Sequence, residues 1–465
     1  MSYDVEKVQA DALEHFSATL ATLTDYLTYP AISCDEDHFD DVRKMASRIQ
    51  SDLEKLGFDK SRVLEIDGAL PSVAAEWMHA GEEAPTIVIY GHFDLQPVKG
   101  EPWDTPPHEA VTKGERLYAR GSADDIGGWV SHLAAIESYL RVEKKLPLNI
   151  KLFIEGEEEI GSPNLEKFMD AYPEAFAGDV MVLTDCENPS LDIPGLTVSL
   201  RGLMEVEVEV SAIKSDVHSG LWGNLAPDVN TSMILLLSRL LDEHGRLKIA
   251  PVDVDSEWRE ASRNVPLNDE VVKIGAGLLD GVEPLPLKER SAAEWLWRQP
   301  AVTILSTTFP TENMEKNALR SSAKVTLSVR VAPGQTGDEL FTKFEEVLLK
   351  DAPGGVKVSL KQRDNGASSW LYEPKGPAFA AADRAYEKSW GRKLLQVGIG
   401  GSIPFVALFG RRYGTLPLIL NGVMDPETGA HGPNESMHLG VFQKAIVANV
   451  HLYHELAQEK DLKSS

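Results

Sequence analysis

The chain contains two kinds of extended segment, and no single sheet accommodates both. Thr86–Tyr90 (TIVIY), Leu148–Ile154 (LNIKLFI) and Asp179–Leu183 (DVMVL) are short, mainly apolar runs of the kind buried on both faces of a sheet. Helical patterns lie around them: VRKMASRIQSDLEKLG (Val42–Gly57) is amphipathic and stops at glycine, and GGWVSHLAAIESYLRVEKKL (Gly127–Leu146) follows the same period. This alternation predicts an α/β unit with a mixed, mostly parallel sheet flanked by helices. From Leu196 the style changes. LTVSLRGLMEVEVEVSA (Leu196–Ala212) alternates apolar and charged residues, as a half-exposed antiparallel strand does, and SSAKVTLSVRVAP (Ser321–Pro333) repeats it before a helix, GDELFTKFEEVLLK. The first style returns after Gly376 with LPLILNGV and a last helix, FQKAIVANVHLYHELAQ. The expected organisation is one α/β domain built from residues 1–198 and 376–465, with an α+β domain of residues 199–375 inserted in it. A chain of 465 residues, 43% of them hydrophobic, is long enough to bury two such cores.

The net charge of −26 would be repelled by nucleic acid and by anionic membranes, so neither is an expected partner. With only Cys34 and Cys186 there is no disulfide framework, which fits a reducing compartment. MSYDVEKVQADALEHF lacks the charged-then-apolar pattern of a signal peptide. MILLLSRLL (Met233–Leu241) is too short to span a bilayer. The expected location is the cytoplasm.

Ligands of open α/β sheets gather beyond the C-terminal ends of the strands, and this chain concentrates acids and imidazoles there. His92 and Asp94 follow the first apolar strand, two residues apart and so on one face of an extended chain. A carboxylate in that position can hold the second ring nitrogen of a metal-bound histidine. YARGSADDIGG puts Asp124 and Asp125 at a helix start, where acids often serve only as caps. FIEGEEEIGS ends a strand in Glu155, Glu157, Glu158 and Glu159, which repel one another unless protons or cations intervene. VMVLTDCENP contributes Asp185, and the glycine-rich GAHGPNES contributes His431. Each motif alone is an ordinary surface feature. Together they place carboxylates and imidazoles at five strand ends, a donor set suited to zinc or a similar divalent ion. No GxxxxGK[ST] phosphate loop and no GxSxG elbow is present.

GHFDLQP, RGSADD, EGEEEIGS, LTD, SDVHSGLWGN, GGSIP and GAHGPNE, in this order along nearly the whole chain, resemble the M20 family of dinuclear metallopeptidases, and within it the cytosolic nonspecific dipeptidase and carnosinase branch. The resemblance implies two divalent ions per subunit, zinc before manganese or cobalt. One would be held by His92 and Asp185, the other by Glu159 and His431, with Asp124 bridging both. It implies a cis Asp124–Asp125 peptide, Asp94 orienting His92, and Glu158 as general base. It makes the inserted domain a lid that also forms a homodimer. Its His218 would reach the partner's site to stabilise the oxyanion, Asn317 and Arg330 would contact substrate, with Arg330 reading the C-terminal carboxylate, and Gly401 and Ser402 would line the substrate pocket.

The expected reaction is hydrolysis of dipeptides or short peptides with a free C-terminus. An N-acyl-amino-acid deacylase of the same family and a catalytically inactive binding protein are the alternatives. Asp185 leans toward the peptidase, because the deacylase branch more often carries Glu there, and the intact ligand set with Glu158 speaks against an inactive protein. Ile126 in place of the branch's lysine and the additional acid Glu157 depart from the family pattern at positions that are not ligands. His438 reads as the start of the last helix, and His108, His132, His451 and His454 fit no constellation.

Overall fold

The computed structural model describes residues 3–310, 315–364, 368–401, 404–414 and 416–462. The chain forms two compact units. The first comprises Met1–Val198, Glu373–Val397 and Leu408–Ser465, and the second Ser199–Tyr372 and Gly398–Ala407.

The first unit is built on a six-stranded sheet, ordered Asp59–Leu64, Ser72–Trp77, Asn149–Glu155, Thr86–His92, Val180–Leu183, Leu418–Leu420. The last four strands run parallel to one another, and Ser72–Trp77 joins them antiparallel. Asn149–Glu155 is buried along its whole length, and Ile87 to His92 likewise. That is why these strands read as apolar runs without alternation. Thr86–His92 extends two residues beyond the run seen in sequence, so that His92 is its last residue, in register with Glu155. The helix predicted over Val42–Gly57 spans Phe39–Leu56 and ends at Gly57, whose φ of 93° is the left-handed value that glycine adopts at little cost. The helices Ile126–Val142 and Leu439–Gln458 pack against each other. His438 caps the second, its Nδ1 accepting from the Gly440 amide at 3.1 Å.

The second unit has a four-stranded antiparallel sheet, ordered Ala301–Thr307, Ser322–Val331, Gly202–Ser211, Lys357–Asp364. Gly202–Ser211 alternates buried and half-buried residues from end to end. Val206, Val208 and Val210 pack with Val325, Leu327 and Val329 against Met233 and Leu236 of the helix Val229–Leu237 and Leu340 and Phe344 of the helix Gly337–Leu348. Each such fully buried side chain contributes roughly 1.5–3 kcal/mol. The sequence reads Leu196–Ala212 as one strand. The structure breaks it at Arg201 into Gly195–Leu200, buried throughout, and the alternating Gly202–Ser211. Residues 398–407, expected with the first domain, cluster with the second unit.

His132 is buried in the helix Ile126–Val142, its Nδ1 2.8 Å from the Tyr453 hydroxyl, and burial lowers its pKa to about 3. The folded protein therefore keeps this ring neutral at pH values where the unfolded chain, titrating near 6.5, is already protonated. Its contribution to stability is complete above pH 6.5 and is lost as the pH falls toward 3. Chemical denaturation between pH 6.5 and 4 should show that His132→Gln removes about one proton, ~1.4 kcal/mol per pH unit, from the slope of stability against pH. An unchanged slope would show that His132 does not carry the dependence.

Candidate metal centre

Two groups of side chains meet at the C-terminal edge of the parallel strands. The potential ligand atoms of His92, Asp124 and Asp185 lie within 4.8 Å of one another, and so do those of Asp124, Glu159 and His431. Asp124 belongs to both. Its Oδ1 faces His92 Nε2 at 3.2 Å and its Oδ2 faces His431 Nε2 at 3.1 Å, while the same His431 nitrogen is 3.1 Å from Glu159 Oε2. Two ligands about 2.0–2.2 Å from a tetrahedral zinc stand roughly 3.4 Å apart, so these pairs already have the spacing of edges of a coordination shell. Asp185 Oδ2 and Glu158 Oε2 each lie 4.0 Å from His92 Nε2.

Burial is the first cause that pushes Asp185 up to about 7 and holds Glu158 and Glu159 above the ordinary carboxylate range, and their acidic neighbours add to it. Hydrogen bonding to Asp124 and Glu159 raises His431 to about 11. Burial opposes protonation of His92, yet Asp124 and Asp94 outweigh it. Burial likewise opposes ionisation of Asp124, yet the two imidazoles hold its carboxyl well below the usual range. Buried carboxyls crowded by one another, beside two imidazoles that face carboxylates, make an acid-rich donor cluster. Divalent cations between Asp124 and the two imidazoles would balance its charge, and the O,N donor set suits them.

The main chain here is shaped around the carboxylates. The Asp124–Asp125 peptide is cis, as the resemblance implies. Asp125 turns away from the centre: its Oδ2 accepts from the His92 amide at 3.1 Å and from the Thr184 hydroxyl at 2.6 Å. Gly91 and Gly128 leave it room, since a Cβ at Gly128 would lie 2.0 Å from Asp125 Oδ1 and one at Gly91 2.7 Å from Oδ2. His431 adopts φ 63°, in the left-handed region that few non-glycine residues occupy.

Asp94 differs in detail from its expected role. His92 Nδ1 meets the main-chain carbonyl of Asp94 at 3.1 Å, with the nearer carboxylate oxygen at 3.6 Å. The carboxylate instead accepts from the amides of Glu158 and Glu159, both at 3.0 Å, and so fixes the turn that carries these two acids. Glu157 points elsewhere. It accepts from the Leu70 amide at 2.7 Å and the Asn164 side chain at 2.8 Å, which gives the additional acid a structural task. Glu155 accepts from the Tyr90 hydroxyl.

Sequence reasoning left three contributors unassigned. Gln96 donates to Glu159 Oε2 at 2.8 Å. Glu435 accepts from the Ala123 and Asp124 amides at 3.3 and 3.2 Å and pairs with Arg120 at 2.9 Å. The Trp129 indole donates to the His92 carbonyl at 3.0 Å. Gln96 and Glu435 lie within GHFDLQP and GAHGPNE, close to the ligands, but nothing in their spacing says what they touch.

The remaining named residues belong to the second unit. His218 and Asn317 are exposed and meet on a two-strand ladder: His218 pairs with Ala318, and the Asn317 carbonyl accepts from the Ser219 amide at 2.8 Å. His218 Nδ1 accepts from the Gly220 amide at 3.0 Å, which leaves Nε2 outward. Arg330 is half-buried on the strand Ser322–Val331 opposite Leu203. Gly401 is half-buried in the 398–407 segment, and Ser402 lies outside the described residues.

The profile of Peptidase family M20/M25/M40 matches residues 88–459. The chain is 32% identical over 406 residues to the cysteinylglycine-S-conjugate dipeptidase of Corynebacterium striatum, covering 86% of this chain and 87% of that protein. It is 25% identical over 459 residues to the Cys-Gly metallodipeptidase dug1 of Schizosaccharomyces pombe, with 93% and 94% covered. The crystal structure of human carnosine dipeptidase 1 superimposes with a TM-score of 0.75 at 23% identity, over 98% of this chain and 100% of that one.

With its two carboxylate contacts removed, the Glu158–Glu159 turn should loosen. Asp94→Ala is therefore expected to lower affinity for divalent cations about 10–100-fold while the fold persists by circular dichroism. Equilibrium dialysis with zinc measures this, and wild-type affinity in the variant would contradict it.

Proposed function

The chain belongs to peptidase family M20/M25/M40, and on that premise we propose that it is a dipeptidase that hydrolyses the peptide bond of dipeptides and short peptides with a free C-terminal carboxylate. The observation that carries this reading is Asp124, which offers one oxygen to each of two imidazoles, with an unshared carboxylate, Glu158, beside them. His92, Asp124 and Asp185 would hold one divalent cation, and Asp124, Glu159 and His431 the other. Bound there, the cations supply Lewis acidity and lower the pKa of a coordinated water toward ~7.

Glu158 is the proton carrier. It lies outside both ligand groups, and burial raises its proton affinity, as a group that takes and returns a proton near neutral pH requires. It accepts a proton from the attacking water as that oxygen bonds to the carbonyl carbon. It returns the proton to the leaving nitrogen as the C–N bond breaks, so that an amine and a carboxylic acid result. His218 donates to the oxygen that gains charge during attack, and Arg330 pairs with the substrate's carboxylate. Asn317, Gly401 and Ser402 complete the substrate contacts. The names of the relatives, dipeptidases in each case, favour a peptide over an N-acyl amino acid.

The second unit bears exposed Leu221, Trp222, Leu225, Ile234 and Leu235 around the His218 loop and the helix that follows it. Such a surface supports a homodimer in which His218 serves the partner's site. No helix among the described residues is long and apolar enough to cross a membrane.

Glu158→Ala should retain two metal ions per chain, counted by mass spectrometry, and lose about 10²–10⁴-fold in kcat. Loss of an ion would exchange the roles of Glu158 and Glu159. Exhaustive chelation should abolish wild-type activity, with recovery on adding zinc, manganese or cobalt, and full activity without metal would end the reading.

Donation across the dimer makes a separate prediction. His218→Ala removes an oxyanion donor of the kind typically worth ~2.7–4 kcal/mol and should be nearly inactive. Mixing it with Glu158→Ala and allowing subunits to exchange creates dimers with one doubly defective and one intact site. About half of randomly exchanged dimers are mixed, so activity should recover to about a quarter of wild type. No recovery despite proven exchange would refute donation in trans.

A further inference from the structure

Arg201 stands where the long extended segment breaks, and it is over nine-tenths buried. Among the described residues it has no ion pair, and neither has Arg330. A buried guanidinium without an anion is costly, which makes its surroundings informative. Arg201 Nε donates to the Gly400 carbonyl at 2.9 Å and Nη1 to the Gln299 carbonyl at 3.4 Å, and its own amide donates to the Ile399 carbonyl at 3.3 Å. A Cβ at Gly400 would lie 3.0 Å from Arg201 Nη2, and one at Gly398 2.7 Å from Trp297 Cβ, so this glycine turn is seated closely on the arginine and the helix Ala292–Arg298. The carbonyls occupy two of the guanidinium's five N–H groups. Arg201 also lies within electrostatic reach of Arg330. It immediately precedes the Gly202–Val331 pair, one position beyond Arg330–Leu203, and the charge of Arg330 is, after burial, the second cause that lowers Arg201's pKa to about 10. Two guanidiniums and a glycine turn that ends in Gly401 thus form one anion-seeking cluster within the second unit.

We propose that Arg201 is a positioning residue of the substrate-carboxylate subsite, pinning the Ile399–Gly401 turn through its carbonyls and laying a second positive charge beside Arg330. The proposal rests on the dipeptidase reading above. The C-terminal carboxylate of the substrate is then the anion that the cluster lacks, and Arg201 acts through the turn and its field while Arg330 makes the contact.

The test uses zinc-loaded enzyme and compares a free dipeptide with its C-terminal amide. Arg201→Met should lower the ratio of kcat/KM for the free dipeptide to that for the amide about tenfold, mainly through KM, because the lost charge matters only to the ionised terminus. Arg201→Lys should recover part of that ratio, since it keeps the charge without the fork. Arg201→Met combined with Arg330→Met should lower the ratio by less than the product of the single effects, because both act on one carboxylate. Melting temperature and zinc content check the fold of each variant, and if Arg201→Met does not fold, Arg201→Lys decides by its own ratio. Equal losses on both substrates, or singles that multiply independently, would show Arg201 to be a scaffold residue only and overturn the proposal. A wild-type enzyme that cleaves the amide as well as the free dipeptide, or neither, would overturn the dipeptidase reading itself, an outcome visible before any Arg201 variant is made.

Discussion

The Asp124 carboxylate is almost wholly buried, yet it is held ionised between two imidazoles, one oxygen to each. Taking a carboxylate out of water is expensive unless opposite charge and hydrogen bonds replace the solvent. The rest of the first unit can be understood as that replacement. Glu435 anchors the Asp124 amide and is itself neutralised by Arg120. Asp125 takes the His92 amide and so places the strand end that delivers one imidazole. The left-handed turn at His431 delivers the other. Together these contacts bring the two histidines to one carboxylate.

The parallel sheet explains why the convergence occurs at this edge. Parallel strands end together, so residues far apart in sequence, His92, Glu155 and the Asp185 loop, emerge side by side. An antiparallel sheet would send neighbouring strand ends to opposite edges. The acids of EGEEEIGS, which look like one repulsive cluster on paper, are distributed to different partners: Glu155 to Tyr90, Glu157 to Leu70 and Asn164, Glu159 to Gln96 and His431, and Glu158 to no ligand group. Four like charges in five residues are tolerable because only some of them face the centre.

Much of this was legible in the sequence. Apolar runs ending in His, Asp or Glu locate the candidate ligands, because acids and imidazoles gather where each buried strand gives way to a loop. The change to alternation from Leu196 points to the second unit, because only a sheet with one covered face alternates, although the sequence does not show the break at Arg201. What could not be read depends on contacts between distant segments. Asp94 binds two amides more than 60 residues away, and Glu435 two more than 300 residues away. No periodicity encodes such pairs. Arg201 was hidden for a different reason: an arginine inside an alternating run reads as the solvent face of a strand, and only the break in the ladder shows that it turns inward.

The charges of the two units are opposite in kind. The centre of the first gathers carboxylates that suit cations, whereas Arg201 and Arg330 in the second have no ion pair among the described residues. A protein with net charge −26 does not place two uncompensated guanidiniums together by composition alone. On the dipeptidase reading the substrate resolves the second. Its terminal carboxylate would supply the anion to the arginines. A long peptide presents many carbonyls but only one such terminus. A subsite that demands this terminus selects substrates by their free carboxylate.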